Sequence, residues 1–125
     1  MPGKVEKFED LLVWQKAHQL VLEIYTITKR FPAEEKFGLV AQMRRAAVSV
    51  AANIVEGFRK RGKKDKVNFY NIAQGSLEEL RYYVLLSGDL NYLPDISGLN
   101  ASIGEVGRML HSFTVSAVGM PCPPI

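Results

Sequence analysis

The chain holds a single cysteine, Cys122, in its 125 residues. No internal disulfide can form, so folding does not depend on an oxidising compartment. Histidine is nearly as scarce: His18 and His111 are the only two, and neither has a Cys, His or carboxylate beside it at zinc-ligand spacing. Glu105 is followed three residues on by Arg108 rather than by histidine, so the Glu-x-x-His pair of di-iron bundles is missing. No uncharged apolar run reaches the ~18 residues that a bilayer span takes. Met1 to Phe8 alternates in charge and lacks the apolar stretch of a signal peptide. Together these absences predict a cytoplasmic protein without metal or cofactor.

Catalytic signatures are missing too. Gly57-x-x-x-x-Gly62-Lys63-Lys64 nearly spells a phosphate-binding loop, but Lys64 stands where a magnesium-binding Ser or Thr is required, and a helix rather than a strand precedes it. Ser76 lies inside a helical pattern with no histidine beside it, and no G-x-S-x-G occurs. Without a nucleophile or an acid–base pair in a recognisable setting, the chain reads as a non-enzyme.

What is present is helical periodicity. The apolar fraction of 47% suits a globular chain, and 23% charged residues is too few for a disordered one. The length fits one domain. Phe8, Leu11, Trp14, Ala17, Val21, Ile24 and Thr28, widened by Leu20, Ile27 and Phe31, mark a first helix over about residues 9–30, stopped by Pro32. A second helix is expected from Ala33 or Glu34, with Phe37, Val40, Met43, Ala47, Val50 and Ile54 on its apolar stripe. Much of this face is small (Ala46, Ala47, Ser49, Ala51 and Ala52), and small side chains permit close helix approach. Gly57 or Gly62 is expected to end it.

A third helix spans about 64–90, with Phe69, Ile72, Ala73, Ser76, Leu77, Leu80, Val84 and Leu90 on a broad face. Gly75 would weaken an exposed helix by ~1 kcal/mol, so it is expected to meet the small face of the second helix. Asn91 to Pro94 forms a turn, and the fourth helix starts near Asp95 to Ser97 with Leu99, Ile103, Val106, Leu110 and Phe113, flanked by Met109 and Val118. Short joins between long helices predict an all-α, antiparallel up-down-up-down four-helix bundle over 1–118. Residues 119–125 (GMPCPPI) are expected to form a disordered, proline-rich tail.

The net charge is only +3, yet Arg59, Lys60, Arg61, Lys63, Lys64 and Lys66 crowd one turn around a single acid, Asp65. Such a cluster repels itself and suits a phosphate backbone, which would release counterions on contact. A solvated turn that keeps the protein soluble is the other reading. Arg44 and Arg45 fall mid-helix among apolar residues. Glu56, Glu78 and Glu79 are their candidate partners in an ion-pair network that would fix helix register, with Asn53 and Ser76 as further polar members. Alternatively, one of the two arginines faces a ligand or lines an oligomer channel. Trp14, Tyr25, Tyr70, Tyr82, Tyr83 and Tyr92 could stack on bases, although aromatics at helical spacing are more often core. Tyr82 and Tyr83 are adjacent, so at least one must point outward.

FEDLLVWQKAHQL, then FP with EEKFGLVAQMRRAAVSVAANIVEGF, then AQGSLEELRYYV, resemble the four-helix-bundle proteins encoded in bacterial 23S-rRNA intervening sequences. EVGRMLHSF is similar to the matching stretch of the accessory proteins of diversity-generating retroelements. Ala51 and Val55 depart from the residues expected of that family. The resemblance implies a homopentamer that binds RNA or DNA. It also implies an alternative, a protein-binding accessory or scaffold whose partner is a reverse transcriptase or a ribosomal component.

Overall fold

The computed structural model describes residues 5–118. Four long helices carry it: α1 Leu12–Thr28, α2 Leu39–Arg59, α3 Lys63–Asp89 and α4 Ser97–Val118. Short 3-10 turns at Phe8–Asp10 and Ala33–Glu35 precede the first two. Among the described residues there is no strand, and no helix is long and apolar enough to cross a membrane. The proposed 119–125 tail, with Cys122, and the side chain of Val118 lie outside the described residues.

α2 and α3, and likewise α3 and α4, run antiparallel, because the contacts between them fall in reverse order. Ser87 meets Met43, Ser49 meets Ser76 and Gly57 meets Tyr70 across α2 and α3. Tyr70 meets Phe113, Gln74 meets Gly107 and Gly88 meets Ile96 across α3 and α4. The Lys16–Glu105 ion pair closes the ring between α1 and α4. The core fills the middle. Ile24, Met43, Val50, Ile54, Tyr70, Leu80, Val84, Val106 and Leu110 are almost wholly withdrawn from water, which is what a stripe at 3.6-residue period delivers when four helices face one axis.

Two sequence expectations fail at the α1–α2 connection. The second helix does not begin at Ala33 or Glu34. Pro32 opens a single 3-10 turn, and α2 starts only after Gly38, whose φ of −105° and ψ of −108° break helical continuity. Phe37, expected on the apolar stripe, is therefore off the helix and 88% exposed. Glu35 holds the join. One carboxylate oxygen accepts the Leu39 amide at 3.4 Å, and the other accepts the Tyr92 hydroxyl at 2.8 Å from the α3–α4 turn.

The close approach of α2 and α3 is also displaced from its expected place. Gly75 has nothing within 4 Å of where a side chain would stand. The tight contact is at Gly57, where an added Cβ would lie 2.4 Å from Cε1 of Tyr70. Gly57 is thus not a stop but an interior helical position that lets the Tyr70 ring cross α2. Of the small residues of α2, Ser49 does face α3, about two turns before Gly57, where its hydroxyl and that of Ser76 bond at 2.7 Å, whereas Ala52 is exposed. Ile72 and Leu90, assigned to the α3 face, are 43% and 44% exposed.

The α3 end is closed by a Schellman motif. Asn91 takes the left-handed conformation at φ 63°, its amide donates to the Gly88 carbonyl at 3.0 Å, and the Tyr92 amide donates to the Ser87 carbonyl at 2.9 Å. The Asp95 carboxylate then accepts the Ser97 amide at 2.9 Å and opens α4; that bond holds its pKa below the ordinary carboxylate value.

Candidate nucleic-acid interface

The six cations singled out in the sequence occupy the hairpin between α2 and α3, but they do not form one equivalent set. Arg59 is the last residue of α2, Lys60 caps it in an extended conformation, and Gly62 caps the start of α3. Three residues between two long helices confine the charges to one end of the bundle. Arg59, Arg61, Lys63 and Lys64 are exposed.

Lys66 is different. It sits one turn inside α3 and reaches back across the hairpin, donating from Nζ to the Phe58 carbonyl at 2.9 Å and the Gly57 carbonyl at 3.2 Å. These carbonyls belong to the last turn of α2, where backbone acceptors outnumber backbone donors; the Gly57 carbonyl also accepts the Lys60 amide at 3.2 Å. A cation there completes the cap and meets the negative end of the helix dipole. Its ammonium also lies 5.7 Å from the Phe58 ring centroid. Partial burial lowers its pKa. The expectation that Lys66 contacts phosphate is therefore replaced by a capping role. Lys60 is half-buried with Nζ 5.1 Å from the Phe69 ring centroid, so part of its side chain lies along the protein surface.

The expected network of Arg44 and Arg45 with Glu56, Glu78 and Glu79 does not assemble. Among the described residues the ion pairs are Lys16–Glu105 at 3.6 Å and Arg81–Glu78 at 3.5 Å, the latter within α3. Arg44 turns to α1 instead. Its Nε donates to the Thr28 hydroxyl at 3.0 Å, an Nη to the Tyr25 carbonyl at 3.4 Å, and its guanidinium stacks 4.6 Å from the Tyr25 ring centroid. The Tyr25 carbonyl and the Thr28 hydroxyl lie in the last turn of α1, so Arg44 ties α2 to the α1 end as Lys66 ties α3 to the α2 end. Arg45 and Glu56 are exposed. Glu79 accepts the Tyr83 hydroxyl at 2.8 Å, which raises the Tyr83 pKa. Asn53 donates to the Ser49 carbonyl and hydroxyl at 2.8 and 3.0 Å, so with Ser76 it forms a short polar thread between α2 and α3.

The aromatics divide. Tyr70 is wholly buried with no partner for its hydroxyl, and burial pushes its pKa up to about 12. Tyr70 is therefore core and not a base-stacking surface. Tyr82 is 57% exposed beside a half-buried Tyr83, as adjacency on one helix requires. Trp14 is held between Phe8, edge-on at 5.0 Å, and His18, stacked at 4.9 Å.

Sequence reasoning missed one feature. A groove of about 760 Å³ runs along the α3–α4 seam, lined by Asn71, Gln74, Arg81, Arg108 and His111 among others. Its signal was the pair Gly104 and Gly107, which leave the α4 side without side chains at that depth.

Residues 9–112 match the family model described as 23S rRNA-intervening sequence protein. A crystal structure of a protein of unknown function, from the S23 ribosomal protein family of Bacteroides thetaiotaomicron, is similar at 25% identity and a TM-score of 0.76. The likeness covers 82% of this chain and 95% of that one. No curated protein matches. With most of its length matched, the chain belongs to the 23S rRNA-intervening sequence protein family.

Proposed function

We propose that this member of the 23S rRNA-intervening sequence protein family is a non-catalytic, self-associating protein that binds RNA or DNA through its α2–α3 hairpin. The observation that carries the reading is the exposure of Arg59, Arg61, Lys63 and Lys64 in one short turn whose single acid is Asp65. Folding gains nothing from placing these charges side by side. Arg44 and Lys66 show what this bundle does with a cation it uses structurally: it gives it carbonyls and a ring. The four exposed cations of the turn have none of the side-chain hydrogen bonds or ion pairs found in the described structure. A phosphate backbone supplies the missing counter-charge.

Self-association, to a homopentamer as the family resemblance implies, is supported by the α1–α2 face. Tyr25, Phe37 and Val48 are exposed there around a shallow cavity of about 440 Å³. Exposed apolar patches of this kind serve protein contacts. The same face supports the second reading, an accessory protein for a reverse transcriptase or a ribosomal component, in which the partner rather than a second copy covers it.

Fluorescence anisotropy with labelled RNA and DNA hairpins, at low and moderate salt, tests the proposal. Binding should fall steeply with salt, and replacing Arg59, Arg61, Lys63 and Lys64 by Ala should weaken it for all sequences and flatten the salt slope. Lys66→Ala should instead lower the unfolding midpoint. Unchanged binding in the quadruple variant removes the assignment, and a partner protein recovered after nuclease treatment favours the second reading.

A further inference from the structure

We infer that the α3–α4 groove is a continuation of the interface and takes a short single strand of RNA or DNA; this rests on the nucleic-acid reading above. The α3 residues Asn71, Gln74 and Arg81 line one side of the groove. Extended toward the helix N-terminus, the same helix begins at Lys63 and Lys64. From Lys64 to Arg81 the helix rises about 26 Å at ~1.5 Å per residue, a length suited to roughly four nucleotides, the small end of single-strand sites.

The chemistry of the groove suits nucleotides more than a protein segment. Arg108 and His111 stand on the α4 side. The one carboxylate lining the groove, Glu78, is held by Arg81 at 3.5 Å, so the balance is cationic. The side-chain amides of Asn71 and Gln74 offer donor and acceptor together, which matches base edges. Gln74 already shows the reach: its amide donates to the Gly107 carbonyl at 3.4 Å. Gly104 and Gly107, beside Leu77, leave a flat, partly apolar floor. An unstacked base can enter such a floor. A duplex presents its backbone outward and keeps its bases stacked, so it can use the hairpin cations but not the groove. At the Arg81 end the groove shares Glu78 and Arg81 with a smaller cavity of about 200 Å³, whose other lining residues are Tyr82, Leu85 and Asn100. Tyr82, 57% exposed, is placed there as a stacking platform. A basic track with an aromatic at its end is how sequence-tolerant single-strand sites are built.

The test uses the full chain and two fluorescein-labelled probes, a single-stranded oligonucleotide without secondary structure and a blunt hairpin duplex. Two variants address the groove. Gly104→Leu fills it; a Cβ at that position meets only the Arg108 guanidinium, at 3.2 Å and at the far end of a long side chain that can shift aside, and removal of a helical glycine favours the fold. Tyr82→Ala removes the platform, and Tyr82→Phe restores a ring. The expected result is about a tenfold loss of single-strand affinity for Gly104→Leu and for Tyr82→Ala, recovery in Tyr82→Phe, and unchanged duplex binding. If both variants bind the single strand as the parent does, while the hairpin quadruple variant is weakened, the groove assignment is overturned and the hairpin interface stands. If the parent chain binds neither probe, both are overturned.

Discussion

Tyr70→Phe should stabilise this protein. Tyr70 is wholly buried, its ring crosses α2 at Gly57 and packs 5.0 Å from the ring of Phe113, and its hydroxyl has no partner. A buried polar group without a hydrogen bond costs about 1–3 kcal/mol, whereas the ring contacts are the same in Phe. Removing the hydroxyl should therefore gain on the order of 1 kcal/mol, or about 3–6 °C in Tm for a chain of this size. The pH dependence gives a second, independent readout. Burial holds the phenol at about 12 in the folded protein, against ~10 in the unfolded chain. Because the folded value is the higher one, the contribution is fully present below pH ~10 and is lost as pH rises toward about 12. Two units at ~1.36 kcal/mol each set the loss at about 2–3 kcal/mol. Urea titrations followed by circular dichroism between neutral pH and pH ~11 should show the variant above the parent throughout, with the gap widening in alkali. In parallel, tyrosinate absorbance should reveal one of the five tyrosines that ionises only with unfolding, and that step should vanish in the variant. A lower midpoint for Tyr70→Phe at neutral pH would refute the reasoning, since it would mean that the hydroxyl makes a bond worth more than its burial costs.

Other predictions concern the same packing. Gly57→Ala should lose about 1–3 kcal/mol, because its Cβ would meet the Tyr70 ring at 2.4 Å and Cβ of Phe69 at 3.1 Å. Gly75→Ala, which meets nothing within 4 Å, should gain about 1 kcal/mol; chemical denaturation of the pair checks both signs. Tyr92→Phe should lower the midpoint by removing the 2.8 Å bond to Glu35 that ties the α3–α4 turn to the α1–α2 join. That bond raises the Tyr92 pKa, so the deficit should shrink as pH rises above ~10 and the parent loses the same proton.

The four helices and the core were legible because burial imposes a period, and the period survives in the residues: Ile24, Met43, Val50, Leu80 and Leu110 read correctly from spacing alone. The α1–α2 join was not. Ala33-Glu34-Glu35 after Pro32 carries the acids of a helix first turn, and only the backbone at Gly38 shows that the turn stops and restarts. Gly57 and Gly75 look alike in sequence; which of them is a close contact depends on the rotation of α2 against α3, and no local pattern fixes that. The hairpin was legible as a cluster of charge. The division of labour within it was not, because Lys66 becomes a cap only when α3 folds back along α2 and brings its ammonium to the Gly57 and Phe58 carbonyls. The groove was invisible for a related reason: its two sides come from residues some thirty positions apart.

The way the hairpin is anchored leads to a last prediction, in which salt acts with opposite signs on folding and on binding. Gly57 lets Tyr70 cross α2, and its carbonyl accepts Lys66, so one short stretch fixes the start of the turn from beneath and from the side. Arg59, Arg61, Lys63 and Lys64 are then held near one another by packing and against their own repulsion. Screening by salt should relieve that repulsion, since exposed charges interact over a Debye length of ~10 Å at 0.1 M. The unfolding midpoint should therefore rise with modest added chloride. Binding should do the reverse. Four phosphates neutralised, at a slope of ~0.9 each, weaken it about 100-fold between ~50 and ~200 mM salt. The quadruple alanine variant should flatten both dependences together, because both arise from the same four charges. A midpoint in the parent that falls with salt would show that these cations are engaged in attractive pairs within the fold, and the case for an external anion would lose its physical basis.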